Sequence, residues 1–339
     1  MISLKKFWCA SRGLSRPLIC FFGFWASACH PGPREDYIKG DTMGTFYAIH
    51  FMDEKVVRAK LLTTKVEALL RAFENELSNW QPNSWINRFN ALPAGESIAV
   101  PDHAFEVLTL CLDFADKSEG MLDPTVSPLI ELWGFGTRRQ QRIPEDHEIR
   151  EQLSRVGYEK LSLDVEKPLI SKTVSGLQLN CSAVAKGYAV DLVANLLAGE
   201  GIENFLINIG GEVRAAGTRP DGSPWKVAVH GPSANGRDGD TYQTVSLTDR
   251  SMATSGHSQR SFIMDGRRYT HILNPKTGYP VSADIASASV LAPSCALADG
   301  LATLALILDE EQMDALLGHF EGVEVFRTAW SEDYLTLHR

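Results

Sequence analysis

The sequence predicts an α+β fold, with mostly antiparallel sheets packed against helices in two intimately joined subdomains. Three observations carry that expectation. Short apolar runs bounded by Gly, Pro and Asn alternate with longer amphipathic stretches. Several runs are joined by connections too short for a parallel crossover, such as Gly210-Gly211. The chain has 339 residues, 44% hydrophobic and 22% charged, enough for one large core or two joined halves. No repeat of solenoid period and no low-complexity tract interrupts it. A formal charge of -9 without a basic block excludes nucleic acid as the expected partner.

Residues 1–28 read as a leader rather than as fold. Lys5, Lys6, Arg12 and Arg16 form a basic region, and Leu18, Ile19, Phe21, Phe22, Phe24 and Trp25 a short apolar one. Ala26-Ser27-Ala28 then precedes Cys29, a small-residue cleavage site with a cysteine just after it. The apolar run is far shorter than the roughly 20 residues of a spanning helix. The segment resembles a bacterial lipoprotein signal, with Cys29 lipidated and residues 29–36 as a linker, although Ala26 stands where Leu is usual. A plain signal peptide or an uncleaved anchor is the alternative. Losing the leader removes four basic and no acidic residues, taking the charge from -9 to -13. Cys111, Cys181 and Cys295 then remain, an odd set without metal spacing, which predicts buried thiols rather than a disulfide framework.

The folded part is expected over 37–339. Residues 37–51 read as a strand or hairpin broken at Thr42-Met43-Gly44-Thr45. Leu62, Val66, Leu69, Leu70, Phe73 and Leu77 share one helical face, so 54–77 is predicted as an amphipathic helix. A loop is expected over 78–90, a second helix over 102–118 after Pro101, and an exposed excursion over 138–151. Residues 177–181 read as a strand, with Ser182 capping a helix that ends at Gly199 and Gly201. Strands are predicted at 205–209, 213–216, 225–230 and 245–247, and an Ala- and Leu-rich helix at 296–308.

Within that last helix Asp299 and Thr303 stand four apart, on one face of an otherwise apolar element. A buried Asp needs a partner or a cation. One carboxylate and one hydroxyl suit Mg²⁺, which fills its octahedron with water and substrate phosphates. The alternative is that Asp299 caps the helix after Pro293-Ser294. Gly210-Gly211 and Lys186-Gly187 would each suit a phosphate, although either alone is a weak signal. His271, before Ile272-Leu273-Asn274-Pro275, is a candidate general base or an ordinary structural histidine, and His257 is a similar lone case.

Taken in order, these segments resemble the ApbE family of FAD:protein FMN transferases. The resemblance rests on Met43-Gly44-Thr45, on 84–90 ending in Asn87-Arg88-Phe89-Asn90, and on Gly120-Met121-Leu122-Asp123-Pro124-Thr125. It continues through Ala185-Lys186-Gly187-Tyr188-Ala189-Val190-Asp191, Asn208-Ile209-Gly210-Gly211-Glu212 and Thr254-Ser255-Gly256. It ends with His271-Ile272-Leu273-Asn274-Pro275-Lys276-Thr277-Gly278 and Ala298-Asp299-Gly300-Leu301-Ala302-Thr303.

The resemblance implies that Met43, Met121, Leu122, Asp123, Asn180, Lys186 and Ile272 contact FAD, and that Trp80 stacks on its ring system. It implies Mg²⁺ held by Asp299 and Thr303 with the carbonyls of Ala183 and Ala302, and His271 near the reacting phosphate. The implied reaction moves FMN from FAD to a Thr or Ser hydroxyl of an exported protein and releases AMP. Implied acceptors are subunits of Na⁺-translocating NADH:quinone reductase or Rnf-type complexes, met on the periplasmic side of the cell envelope by a lipid-anchored enzyme. FAD pyrophosphatase activity, or a non-catalytic FAD-binding lipoprotein, are the competing readings. Asn180 departs from the family, which commonly has Asp there, and Cys181 and His257 also look unusual.

Overall fold

Two strands open the fold of this computed structural model, which describes residues 34–53, 58–137, 139–230, 241–257, 261–282 and 284–329. The leader, Cys29 and most of the expected linker lie outside the described residues. Strands β1 (Arg34–Thr42) and β2 (Thr45–Asp53) precede helices α1 (Arg58–Leu77) and α2 (Trp85–Ala91). Strand β3 (Ser97–Ala99), helices α3 (Asp102–Lys117), α4 (Ser127–Leu132) and α5 (Asp146–Leu153), and strands β4 (Leu161–Asp164) and β5 (Leu169–Lys172) come next. Helix α6 (Ser182–Gly199) leads into β6 (Phe205–Ile209), β7 (Glu212–Ala216), β8 (Trp225–His230) and β9 (Thr241–Leu247). Strands β10 (Ser251–Gly256), β11 (Ser261–Met264), β12 (Arg267–Thr270) and β13 (Ile285–Ala292) precede α7 (Cys295–Ile307), α8 (Glu310–Leu317) and β14 (Glu324–Ala329).

The main sheet has seven strands in the order β1-β2-β6-β7-β10-β13-β14, every neighbouring pair antiparallel. This is the expected α+β class. Alternation along each strand assigns its faces. Phe205, Ile207 and Ile209 of β6 enter the large core with α1, α3, α6 and α7. On the opposite face Val213, Ala215, Met252 and Leu291 form a smaller cluster with Trp225 and Leu247 of the β8–β9 hairpin. The same period of two directs Glu212 and Arg214 of β7 toward α6, where they meet Lys186 and Asp191. A third cluster, around Leu129, Trp133, Ile149, Phe262 and Leu273, joins α4 and α5 to the β11–β12 hairpin.

Several local expectations are corrected. The loop expected over 78–90 contains α2, started by Ser84, whose hydroxyl accepts from Asn87 N at 3.3 Å. Seven residues are too few to display a 3.6-residue period, and two Asn obscure the helical bias. The polar excursion over 138–151 holds most of α5, which begins with a Glu145–Glu148 capping box and buries Ile149. Residues 177–181 are not a strand; they make a single parallel bridge, Gln178 to Val126. Ser182 does not cap α6 but is its first residue, with Cys181 at the cap position and Ser182 N donating to Asn180 Oδ1 at 2.9 Å. Cys111, Cys181 and Cys295 are free and buried, as expected.

Where α2 ends, a buried lysine satisfies the free carbonyls. Lys172 is 1% exposed, and its ammonium donates to the carbonyls of Phe89 (3.2 Å), Asn90 (2.9 Å) and Leu177 (2.8 Å). Burial lowers its pKa to about 8. The unfolded chain would keep that proton up to about pH 10.4. Between those values the unfolded state binds more protons, so this group adds stability as pH rises. The urea midpoint of the wild type should therefore gain on that of Lys172→Met between pH 8 and 10. Parallel pH curves for the two proteins would show that Lys172 titrates normally.

Candidate active site

The motif segments converge because short hydrogen-bonded turns tie each to the next. Glu74 of α1 starts the chain of contacts. Its Oε1 accepts from Met43 N and Thr42 Oγ1, both at 2.7 Å, and its Oε2 from Gln81 Nε2 at 3.0 Å. Met43 adopts the left-handed region, φ 49°, within the tight β1–β2 turn. Asn87 gathers the loop carrying Trp80 by donating to Asn79 O (3.0 Å) and Gln81 O (2.9 Å). Trp80 is half-exposed at 48%, with the Arg139 guanidinium 5.1 Å from its ring centroid. An exposed indole of this kind offers a π face for stacking.

Asn79 and Asn90 connect that loop to the start of α6. Asn79 Nδ2 donates to Leu179 O at 2.8 Å, and Asn90 Oδ1 accepts from Leu179 N at 2.7 Å. Asn180 N then donates to Pro124 O at 2.7 Å, bringing in the segment around Met121, Leu122 and Asp123. Asp123 is a buried carboxylate whose oxygens serve the turn itself. Oδ1 accepts from Thr125 N and Oγ1 at 2.7 and 2.6 Å, and Oδ2 from Tyr158 N at 2.9 Å. Burial nevertheless leaves its carboxyl above the usual range, because desolvation outweighs those bonds. Beside this turn Glu119, Gly120, Asp123, Tyr158, Pro275 and Lys276 line a cavity of about 300 Å³. The 120–125 and 274–278 segments are thus brought to one concavity.

Asp299 lies where α6 and α7 come together. It is 3% exposed, and its Oδ2 accepts from Gly187 N at 2.9 Å. In an α-helix that amide faces the carbonyl four residues back, here Ala183. The carboxylate and the Ala183 carbonyl are therefore brought to the same spot. Burial is the main force on Asp299, with Lys186 opposing it and Glu212 adding to it, and its carboxyl is pushed up to about 7. Asp299 does not cap α7. Ser294 does, its hydroxyl accepting from Leu297 N at 3.3 Å. Asp191 of α6 reinforces that cap, accepting from Cys295 N at 3.0 Å and Ala296 N at 2.9 Å while paired with Arg214. The sequence had left Asp191 without a role.

Thr303 follows one turn after Asp299, and its Oγ1 lies 3.3 Å from Ser255 Oγ of the Thr254-Ser255-Gly256 motif. Ala302 is fully buried beside it. Lys186 pairs with Glu212, a residue only 1% exposed, within electrostatic reach of Asp299. Glu212 closes the Asn208–Glu212 motif, but the sequence assigned it no role. An acidic residue directly after a Gly-Gly turn, ahead of an apolar strand, was the available signal. Gly210 and Gly211 have φ of 62° and 110°, which let β6 reverse into β7 against Thr45.

His271 is placed just past β12, half-buried, with its ring 6.4 Å from that of Phe135. Ile272 is packed in the large core and Leu273 in the third cluster, so this segment straddles the two. His257, directly after β10, is fully buried, with neither ring nitrogen hydrogen-bonded among the described residues. Burial, with a smaller push from Arg268, lowers its pKa to about 4, so it is neutral at pH 7.

A cation fits the Asp299 corner. A buried carboxylate protonated in part near neutrality is stabilised by any cation that replaces the proton. Among the described residues no three His, Cys, Asp or Glu side chains cluster as a metal cage. One carboxylate, a hydroxyl and nearby carbonyls match Mg²⁺, which takes few protein ligands, better than Zn²⁺ or Ca²⁺.

Comparison with known proteins identifies the family. The model of the ApbE family matches residues 43–327. The FAD:protein FMN transferase of Vibrio cholerae is 35% identical over 288 residues, covering 84% of this chain and 85% of the relative. Solved structures of the flavin transferase ApbE from Vibrio cholerae and of the apo flavinyl transferase ApbE from Pseudomonas stutzeri both superpose with a TM-score of 0.79. The first is 33% identical and covers 89% of this chain and 95% of its own; the second is 35% identical, covering 88% and 92%.

Proposed function

The chain belongs to the ApbE family and is an FAD:protein FMN transferase, and we propose that it esterifies a Thr or Ser hydroxyl of an exported acceptor with FMN, using Mg²⁺. The observation that most supports this reading is the buried Asp299 carboxylate at the Gly187 amide, with Thr303 one turn on and the Lys186 ammonium nearby. Asp299, Thr303 and the carbonyls of Ala183 and Ala302 would hold the metal. When bound, Mg²⁺ would neutralise charge on the pyrophosphate and on departing AMP.

The chain's own residues supply the rest. Lys186 remains an ammonium, because Glu212 and Asp299 outweigh the effect of burial, and it would attract the FAD phosphates. Trp80 would stack on the flavin, and the backbone of the Met121–Asp123 turn, with Met43, Asn180 and Ile272, would complete its pocket. The acceptor oxygen attacks the phosphorus on the FMN side, the phosphoanhydride bond breaks, and AMP leaves; His271 would take the hydroxyl proton. Positioning and charge neutralisation supply most of the acceleration in such transfers. The basic-apolar leader over 1–28, followed directly by Cys29, supports a lipid anchor in the cell envelope, facing exported acceptors of the NADH:quinone reductase or Rnf type.

The test mixes the protein with FAD, Mg²⁺ and an acceptor domain bearing a Thr or Ser target, then images a denaturing gel for flavin fluorescence. A fluorescent acceptor band that disappears with EDTA is the expected result. AMP release without a band would replace the proposal by FAD hydrolysis. FAD bound with neither product would replace it by a binding protein.

A further inference from the structure

Glu212 stands in the centre of the cluster without a part in the reaction just described. It is the first residue of β7, fixed by the Gly210-Gly211 turn before it and by strand pairing with Ile209. One carboxylate oxygen takes the Lys186 ammonium, while the other is buried without a hydrogen-bond partner among the described residues. The Lys186 side chain, by contrast, is 37% exposed. One partner is locked in the sheet and the other reaches to the surface.

Stability alone does not account for such a pair. Buried ion pairs contribute little compared with apolar residues of similar size, and the unpartnered oxygen adds a desolvation penalty. What the pair does achieve is placement. Lysine carries four rotatable bonds and an ammonium without preferred direction. A rigid carboxylate at its tip restricts it to one position, on the Asp299 side of α6. The electrostatic attraction of Lys186 by both Glu212 and Asp299 agrees with that position.

We propose that Glu212 is a positioning residue of the transfer reaction, holding the Lys186 ammonium beside Asp299 where the FAD phosphates bind. The inference rests on the transferase reading and extends it to a residue that touches no substrate. Glu212→Gln removes the anchoring carboxylate, while Asp299 and the bound FAD phosphates still favour the Lys186 ammonium, so attraction for FAD persists while the placement is lost. The expected result is a kcat lower by about tenfold or more, with a KM for FAD changed less than about threefold.

A purely structural role would move Tm and leave kcat unchanged, so kcat separates the two. The full chain carrying both Lys186→Met and Glu212→Gln should be no slower than Lys186→Met alone, because Glu212 acts through the lysine. Wild-type kcat in Glu212→Gln, or losses that multiply in the double variant, would overturn the proposal. Should Glu212→Gln not fold, Glu212→Asp keeps the charge and withdraws it by one methylene. It should show the same fall in kcat, and wild-type turnover there would equally overturn the idea. Turnover is read as AMP release as well as acceptor labelling. A wild type that releases AMP without labelling acceptor refutes transfer, whereas the Glu212 comparison still stands or falls by itself.

Discussion

Asp299→Ala is expected to reduce Mg²⁺-dependent flavin transfer by about a thousandfold or more, the scale of several kcal/mol that a lost Lewis acid represents. The fluorescent acceptor band should vanish at every Mg²⁺ concentration. Full transfer by this variant would remove Asp299 from the metal site. Asp299→Asn adds a test independent of turnover. The folded-state carboxyl is raised to about 7, chiefly by burial, from an ordinary value near 3.8. The stabilising protonated form is therefore fully present below about pH 4, and its contribution is lost as pH rises through 7. The metal-free wild type should lose thermal stability across that window, and Asp299→Asn should lose less. Adding Mg²⁺ at pH 7.5 should raise the Tm of the wild type alone, since the ion binds the folded state. Equal responses of the two proteins to Mg²⁺ would place the ion elsewhere.

The sequence made the Asp299–Thr303 pair legible because helical periodicity alone places residues four apart on one face, and an acidic residue among Ala and Leu is conspicuous. The β1–β2 and β6–β7 hairpins were legible for a similar reason, through apolar alternation around Met43-Gly44 and Gly210-Gly211. Strands β10 and β11 were not, because Ser and Thr blur the period in segments of only six and four residues. The ion pairs of β7 with α6 escaped notice on different grounds. Lys186 and Glu212 are 26 positions apart, and no local pattern signals a contact across a strand and a helix. Asp191 shows the same limit: it caps a helix 104 residues later in the chain. Local chemistry is readable from spacing, whereas pairing between elements depends on how they pack.

Gly187→Ala tests the packing on which this site depends. A Cβ at Gly187 would lie 2.3 Å from the Cys295 carbonyl oxygen and 2.8 Å from Asp299 Cβ. The oxygen belongs to the first turn of α7, so relief requires the two helices to move apart rather than a side chain to turn. In a filled core such overpacking costs about 1–3 kcal/mol or more. The higher helix propensity of Ala returns only about 1 kcal/mol. The net effect is destabilising, and separation of α6 from α7 also stretches the Gly187 N to Asp299 Oδ2 bond that orients the carboxylate. Flavin transfer should therefore fall by about a hundredfold, the scale expected for a reacting group misplaced by roughly 1 Å. Gly199→Ala in the last turn of the same helix is the control, because among the described residues nothing beyond its chain neighbours and its own helix backbone lies within 4 Å of the added Cβ. That variant should gain up to about 1 kcal/mol and keep full transfer, by the same propensity argument. Opposite signs from one substitution in one helix would locate the constraint at the α6–α7 contact. Matching denaturation midpoints for the two variants would show that the helices separate without penalty and that Asp299 is held in place by something other than this close approach.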